Sequence, residues 1–185
     1  TLGAFMERFE RQFAEYVGSR HCVATNNGTD ALILSLKALG IGPGDEVVTP
    51  CNSFYATTGA IVAVGATPVF CDVDARYQMD VADAGRRVTA RTRALLPVHW
   101  AGASPDMSAI LDLVHEHDLI LLEDACMAIG GSIDNRHPGT FGPIGAFSMH
   151  PLKTLNVMGD GGMVVTDDDD LHDWICLLYT SPSPR

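Results

Sequence analysis

The sequence predicts an α/β fold in which helices cover both faces of a β-sheet. Apolar, β-branched runs of strand length recur along the chain, and stretches with helical periodicity lie between them. The apolar runs are continuous rather than alternating, which is typical of strands that are buried on both faces. No internal repeat or low-complexity linker interrupts the pattern, so we expect one layered domain.

The predicted helices and strands alternate from the first residues onward. Residues 4–17 place aromatic side chains at helical spacing with charges between them, and Gly18 is suited to end that helix. Further helices are predicted at residues 29–39, 54–64, 79–88 and 106–117. Strands are predicted at residues 21–25, 47–50, 67–74, 93–100, 119–125, 144–150 and 161–167. Sheets of this kind bind ligands in the loops at the carboxyl ends of their strands.

The composition restricts the classes of partner. A net charge of −11 and a pI near 4.8 argue against nucleic acid and anionic membrane surfaces. An anionic small ligand stays possible, because the backbone at a helix start can bind phosphate. No apolar run approaches the roughly 18 residues of a transmembrane helix. The five cysteines show no paired spacing, and we interpret them as buried small side chains in a reducing cytoplasm.

The segment TNNGTDAL, residues 25–32, is the first candidate for binding chemistry. A predicted strand runs into Asn-Asn-Gly, and a helix is predicted to begin at Thr29. Gly28 allows close approach of the backbone, while the first-turn N–H groups and the Thr29 hydroxyl can hold a phosphate. The alternative is an ordinary helix start that is capped by Thr29 or Asp30.

Two carboxylates end the apolar run LILLEDA. Strand alternation sends Glu123 and Asp124 to opposite faces, so one of them points toward a ligand at the strand ends. There it could pair with a protonated ring nitrogen. The alternative is a salt-bridged or metal-binding strand end, although no familiar spacing of ligands supports a metal. His99, after a neighbouring strand, either lines the pocket or is structural.

Lys153 is one of only two lysines in the chain. Lys37, the other, falls in an amphipathic helix where it can simply be solvated. Lys153 lies in a loop punctuated by Pro and Gly between two predicted strands, with no acidic residue within five positions. A partly desolvated lysine loses proton affinity and becomes a usable nucleophile, and Ser148 offers a nearby phosphate donor. The alternative is an ordinary surface lysine.

Taken in order, five segments resemble the DegT–DnrJ–StrS family of nucleotide-sugar aminotransferases, which are fold-type I pyridoxal-phosphate enzymes. They are FERQFAEYVGSRHCVATNNGTDAL, GDEVVTPCNSFYATTGAIVAVGATPVFCDVD, LPVHWAG, LLEDACMAIGG and FSMHPLKTLNVMGDGGMVVTDD. They span nearly the whole chain as far as Trp174. No one motif is decisive, whereas five in the family's order are specific.

The resemblance implies the large domain of a PLP-dependent transferase, a three-layer α/β/α fold with a mixed, mostly parallel sheet. It implies pyridoxal 5′-phosphate as the cofactor, with Lys153 as the Schiff-base lysine and Asp124 on the pyridine nitrogen. It places the phosphate on the Gly28–Thr29 turn and Ser148. It stacks the ring on Phe54, which the residue pattern alone would assign to the core.

The implied reaction has two halves. An amino acid, usually glutamate in this family, leaves its amine on the cofactor, and a keto-sugar then takes it. Lys153, once free, is the natural base for the proton shift. The resemblance also implies a cytoplasmic homodimer with shared active sites and without a metal.

One position departs from the family's pattern. Met127 stands where the family usually has Gln or His near the cofactor's phenolic oxygen, and it cannot make a strong hydrogen bond there. This supports an alternative, a noncatalytic or regulatory relative, and another fold-type I reaction is a further alternative. Retention of Lys153 argues against the dehydratase relatives that carry His there.

The resemblance also concerns the length of the chain. Family members are much longer and carry a second, smaller domain, which implies that residues 1–175 are a PLP-binding large domain shortened at both ends. The C-terminal small domain would be missing. We interpret residues 176–185, CLLYTSPSPR, as a non-native tail, and we expect the segment alone to be inactive.

Overall fold

The computed structural model describes residues 3–180, which form one seven-stranded sheet with helices on both faces. The helices are α1 (Ala4–Val17), α2 (Gly28–Ala38), α3 (Tyr55–Ala63), α4 (Val81–Arg87), α5 (Met107–Glu116) and α6 (Asp169–Thr180). The strands are β1 (His21–Thr25), β2 (Glu46–Pro50), β3 (Thr67–Cys71), β4 (Thr92–Leu95), β5 (Ile120–Asp124), β6 (Ile144–Ser148) and β7 (Gly162–Thr166). Every predicted element is present, with ends that differ by a few residues.

The sheet is mixed and mostly parallel, as predicted. Its spatial order is β1-β7-β6-β5-β4-β2-β3. β7 runs antiparallel to both of its neighbours, and the other four pairs are parallel. The parallel strands β2, β4, β5 and β6 therefore end at the same edge, where their loops can form one site.

The two faces of the sheet carry separate apolar clusters. Every residue of β2, β6 and β7 is buried, which explains why these runs are mostly apolar and lack the alternation of a half-exposed strand. Successive residues of β7 point to opposite faces: Val164 packs in the cluster with α2, whereas Met163 and Val165 pack in the cluster with α1. Helices α4 and α5 cover the rest of the second face.

The strand predicted at residues 93–100 is shorter than expected. β4 ends at Leu95, and an extended segment follows in which the Leu96 N–H still bonds to the Val48 carbonyl at 2.8 Å. Pro97 has no N–H group to donate, so the regular ladder is interrupted there. Its carbonyl still accepts the Asp124 N–H at 3.0 Å, and Val98 bridges to Asp124. The chain then turns sharply through a 3₁₀ turn at Trp100–Gly102.

The aromatic stripe of α1 is only partly covered. Phe13 is buried, but Phe5 is 85% exposed and Tyr16 is 59% exposed. The helix ends at Gly18 as predicted, because Gly18 adopts the left-handed conformation with φ of 79° and donates its N–H to the Ala14 carbonyl.

The cysteines agree in part with their predicted burial. Cys22 and Cys71 are buried, and burial raises the pKa of the Cys71 thiol to about 12. The prediction was wrong for Cys51, which is exposed because it begins the loop after β2. Residues 3–180 include all five cysteines and contain no disulfide.

Two further kinds of feature are absent from the described part of the chain. Among residues 3–180, no helix is both long and apolar enough to cross a membrane. The same residues contain no group of three or more His, Cys, Asp or Glu side chains that could hold a metal ion.

The end of the chain lies only partly within the described residues. Residues 176–180 continue helix α6, and residues 181–185 lie outside the described part. The interpretation of residues 176–185 as a non-native tail therefore stays a prediction.

Asp83 ties α4 to the end of β3 and makes the stability pH-dependent. Its buried carboxylate accepts the Asp72 N–H at 2.8 Å and pairs with Arg86 and Arg87. The Asp72 N–H, and after it the two guanidinium groups, hold the pKa of Asp83 below its ordinary value. Because the folded-state pKa is lower, this stabilisation is present above the unfolded pKa of about 3.9 and is lost as the pH falls through the folded pKa.

We expect Asp83→Asn to flatten the acid limb of the stability profile. The variant should be less stable than the wild type at pH 7, with a smaller further loss between about pH 5 and pH 2. Urea unfolding at a series of pH values measures both quantities. An acid limb as steep as that of the wild type would contradict this role for Asp83.

Candidate active site

A cavity of about 580 Å³ opens at the carboxyl ends of the parallel strands. Its wall is formed by the start of α2, the loop after β2, the end of β5 and the loop between β6 and β7. The structure brings all seven predicted site residues to this one cavity: Gly28, Thr29, Phe54, Asp124, Met127, Ser148 and Lys153. Their proximity is a finding, and their individual roles stay predictions.

The start of α2 forms one side of the cavity. Asn27 Oδ1 accepts the Asp30 N–H at 2.8 Å, so the cap is Asn27, and the alternative of Thr29 or Asp30 as the cap was wrong. The first-turn N–H groups of a helix have no partner within the helix, and they carry the positive end of its dipole. Gly28 and Thr29 therefore present donors that suit an anion.

Gly28 allows α2 to lie directly on β6. A Cβ atom at this position would stand 2.7 Å from Ser148 Cβ, closer than such atoms approach, and in tight contact with Cys126 Sγ at 3.0 Å. The absence of a side chain therefore sets the distance between the helix start and Ser148. This close contact is the local reason for a glycine at position 28.

We expect Gly28→Ala to push the first turn of α2 away from Ser148. Overpacking of this kind costs about 1–3 kcal/mol, and the displaced N–H groups should weaken phosphate and PLP binding. Gly59→Ala is the matched control, because a Cβ atom at Gly59 of α3 meets nothing within 4 Å. The control should raise stability by about 0.5–1 kcal/mol. Chemical denaturation and PLP titration check both variants, and unaltered PLP affinity in Gly28→Ala would contradict the assignment.

Asp124 ends β5 and reaches the cavity. It is 5% exposed, and each of its oxygens accepts one hydrogen bond from the chain. Oδ2 accepts from the Thr57 hydroxyl at 2.7 Å, and Oδ1 accepts from the Cys126 N–H at 3.1 Å. An ionised carboxylate offers about four acceptor positions, so capacity is left for a donor in the cavity.

Glu123 lies on the opposite face of β5, and both of its carboxylate oxygens are hydrogen-bonded to other groups of the protein. It is completely buried, with one oxygen 2.9 Å from His99 Nε2. Its two oxygens also accept three backbone N–H groups between Gly139 and Gly142. The alternative of a strand end paired within the protein thus describes Glu123 and not Asp124, through hydrogen bonds to His99 and to the backbone. His99 is structural, since it is itself wholly buried and bonds through its other nitrogen to Ser104.

Lys153 enters the cavity from the loop between β6 and β7. The residue is half-buried, its N–H bonds to the His150 carbonyl at 2.8 Å, and its own carbonyl accepts from Asn156. The pKa of the nearby Cys126 thiol responds to the charges of both Asp124 and Lys153. Burial and the Asp124 carboxylate raise its pKa well above the ordinary value, and the Lys153 ammonium opposes them. The Lys153 amine and the Asp124 carboxylate therefore both lie close enough to Cys126 to influence its pKa.

Two of the predicted site residues contribute apolar side chains to the wall. Phe54 is 58% exposed beside the cavity, so its assignment to the core from the residue pattern was wrong. It lies in the loop after β2, and its ring centroid is 4.3 Å from that of Tyr55. Met127 is 36% exposed and lines the cavity without a polar group.

Sequence reasoning missed several residues that line the cavity. They include Asn27, Ser53, Thr57, Trp100, Cys126, His150 and Asp160. Ser53 and Thr57 had a detectable signal, since two hydroxyl residues four positions apart follow a strand that ends at the site edge. The others carry no pattern that separates them from ordinary loop residues.

This fold, with an amine and a carboxylate at one cavity beyond the strand ends, is that of the large domain of fold-type I aminotransferases. DesV of S. venezuelae, solved with a ketimine intermediate, aligns with a TM-score of 0.94 and 42% identity over 100% of this chain and 50% of its own. NtdA of Bacillus subtilis, solved with bound cofactor PMP, aligns with a TM-score of 0.91 and 32% identity over 100% of this chain and 43% of its own.

The chain belongs to the DegT/DnrJ/EryC1/StrS aminotransferase family, whose sequence profile matches residues 1–183. One relative, UDP-N-acetyl-3-dehydro-α-D-glucosamine 3-aminotransferase of Acidithiobacillus ferrooxidans, is 48% identical over 172 residues, which cover 92% of this chain and 47% of the relative. The chain thus spans about half the length of such relatives. The predicted family and fold class are confirmed, and the aminotransferases of this family depend on PLP.

Proposed function

We propose that this chain forms the cofactor-binding half of a PLP-dependent aminotransferase. The enzyme moves the amino group of glutamate to a nucleotide-linked keto-sugar. The observation that carries the proposal is the meeting of Lys153, Asp124 and the start of α2 at one cavity. The name of the A. ferrooxidans relative, which acts on a nucleotide-linked keto-sugar, supports the choice of acceptor.

The residues of the cavity fit PLP. The donors at Gly28–Thr29 and the Ser148 hydroxyl suit its phosphate, and the close approach at Gly28 leaves that corner to backbone N–H groups. Phe54 offers an exposed ring beside the cavity as a stacking surface. Asp124 keeps acceptor capacity for a protonated pyridine nitrogen, and Lys153 supplies the amine that holds the cofactor. When bound, PLP supplies an electron sink.

Lys153 and Asp124 have different roles: Asp124 faces the ring nitrogen, and Lys153 transfers a proton. Asp124 is almost fully buried, and its two hydrogen bonds fix the carboxylate at the cavity wall. An ionised Asp124 favours a proton on the nitrogen opposite. Lys153 is half-buried and lines the cavity from a loop, where its free amine would act as the base that takes a proton from the donor's α-carbon.

Met127 makes the wall at its position apolar. Because a thioether is only a weak acceptor, this side of the ring lacks the strong hydrogen bond that Gln or His would give. We propose that Met127 tunes the substrate subgroup rather than abolishing activity, since Lys153 and Asp124 are both retained.

We propose that the full-length enzyme is a cytoplasmic homodimer with shared active sites. Large apolar side chains stand exposed around the start of α3 and in the loop between β6 and β7, where a second copy would cover them. They are Phe54, Tyr55, Leu152, Leu155 and Met158. Residues 1–175 would be the large domain, and the additional length that relatives have would supply the small domain. By the same argument, the 185-residue segment alone is inactive.

The absorption spectrum of the full-length, PLP-loaded protein tests the proposed function. We expect a band near the visible edge that borohydride bleaches and that glutamate shifts. A borohydride-sensitive band without a response to any amino acid would point to the noncatalytic relative. A protein that binds no PLP would overturn the proposal itself.

A further inference from the structure

Two hydroxyl groups lie behind Asp124 in a short chain. Thr57 Oγ1 is 2.7 Å from Asp124 Oδ2, and Ser53 Oγ is 2.5 Å from Thr57 Oγ1. Thr57, in the first turn of α3, is 1% exposed, whereas Ser53 is half-buried and lines the cavity. The chain therefore connects the cavity wall to the carboxylate through one buried hydroxyl.

The direction of the hydrogen bonds follows from their chemistry. An ionised carboxylate only accepts, so the Thr57 hydroxyl donates to Asp124. Thr57 has a single hydroxyl hydrogen, and Ser53 must therefore donate to Thr57. Each donor polarises the next, which strengthens the final bond to the carboxylate. The Cys126 N–H occupies the other oxygen at 3.1 Å.

We propose that Thr57 is a positioning residue for Asp124, with Ser53 as its support. The Thr57 hydroxyl fixes the rotation of the Asp124 carboxylate, so that the open acceptor positions face the cavity. The inference rests on the proposed function, because the group that Asp124 serves is the ring nitrogen of PLP. A carboxylate held with an open oxygen toward the ring nitrogen can accept the hydrogen bond of that nitrogen, and it thereby favours a proton there.

Three substitutions in the full-length PLP enzyme test this role. Thr57→Val keeps the shape of the side chain and removes the hydroxyl, Thr57→Ser keeps the hydroxyl, and Ser53→Ala removes only the supporting donor. The readouts are the nitrogen-15 signal of PLP labelled at the pyridine nitrogen, and kcat and KM for glutamate.

The expected effects separate the hydroxyl from the packing. Thr57→Val should move the nitrogen signal toward the free base and lower kcat by about 10- to 100-fold, as for the loss of one hydrogen bond to a charged group, with KM within about threefold. Thr57→Ser should stay within about threefold of the wild type, and Ser53→Ala should fall between the two.

Each outcome decides the inference. A wild-type nitrogen signal in Thr57→Val overturns it, even if kcat falls, and leaves the proposed function standing. A wild-type enzyme that binds no PLP, or binds it with an unprotonated ring nitrogen, overturns both. If Thr57→Val fails to fold, Ser53→Ala decides: a shifted nitrogen signal supports the chain of hydroxyls, and an unshifted signal overturns it.

Discussion

Lys153→Ala is expected to abolish amino transfer in the full-length enzyme while leaving the fold intact. The contacts of Lys153 that the structure defines within the loop are made by its backbone, so truncation of the side chain removes little packing. The lost amine would serve both as the attachment of PLP and as the base. Removal of a general base alone costs about 100- to 10,000-fold in rate, so we expect at least a thousandfold loss, about the middle of that range.

The measurement is borohydride reduction followed by mass spectrometry, combined with the rate of the glutamate half-reaction. Lys37→Ala is the matched control, because Lys37 is the other lysine and lies exposed on α2, away from the cavity lining. The control should keep the reduced PLP adduct and full activity, with stability within about 0.5 kcal/mol of the wild type. An adduct that persists in Lys153→Ala would show that another group holds the cofactor.

The layered fold could be predicted because its signals are local. Continuous apolar runs mark β2, β6 and β7, and the sheet indeed buries both faces of these strands. The largest error in a strand boundary is at residues 93–100, because the apolar pattern continues beyond Pro97 whereas β4 ends at Leu95. A residue without an N–H group interrupts the regular ladder even where the side chains stay buried, and beyond Pro97 the pairing continues as a bridge between Val98 and Asp124.

The candidate site could be predicted only in part. Strand alternation separates Glu123 from Asp124 but does not say which one faces the ligand. That answer depends on the segment Gly139–Gly142, which folds back to occupy Glu123. The Thr57–Asp124 bond joins positions 67 residues apart, so no local pattern could reveal it.

Substitution of the two neighbouring carboxylates should affect different properties, activity for Asp124 and stability for Glu123. Asp124→Asn should fold, because the Thr57 hydroxyl can rotate to accept a hydrogen bond from the new amide. A neutral amide cannot hold a protonated ring nitrogen, so the variant should keep some PLP and lose most of its activity. Glu123→Gln instead places an NH₂ group among the donors that now converge on the carboxylate. It should lose about 3 kcal/mol of stability, as for the loss of a buried charged partner.

The comparison needs two measurements on each variant, the free energy of unfolding in urea and the rate of amino transfer per bound PLP. Asp124→Asn should be near the wild type in the first and strongly reduced in the second. Glu123→Gln should be reduced in the first, and its folded fraction should keep a nearly normal rate, because Glu123 does not line the cavity. An active Asp124→Asn together with a stable but inactive Glu123→Gln would reverse the assignment. The burial of Glu123 among three backbone N–H groups and His99 argues that Asp124 is the carboxylate that serves the cofactor.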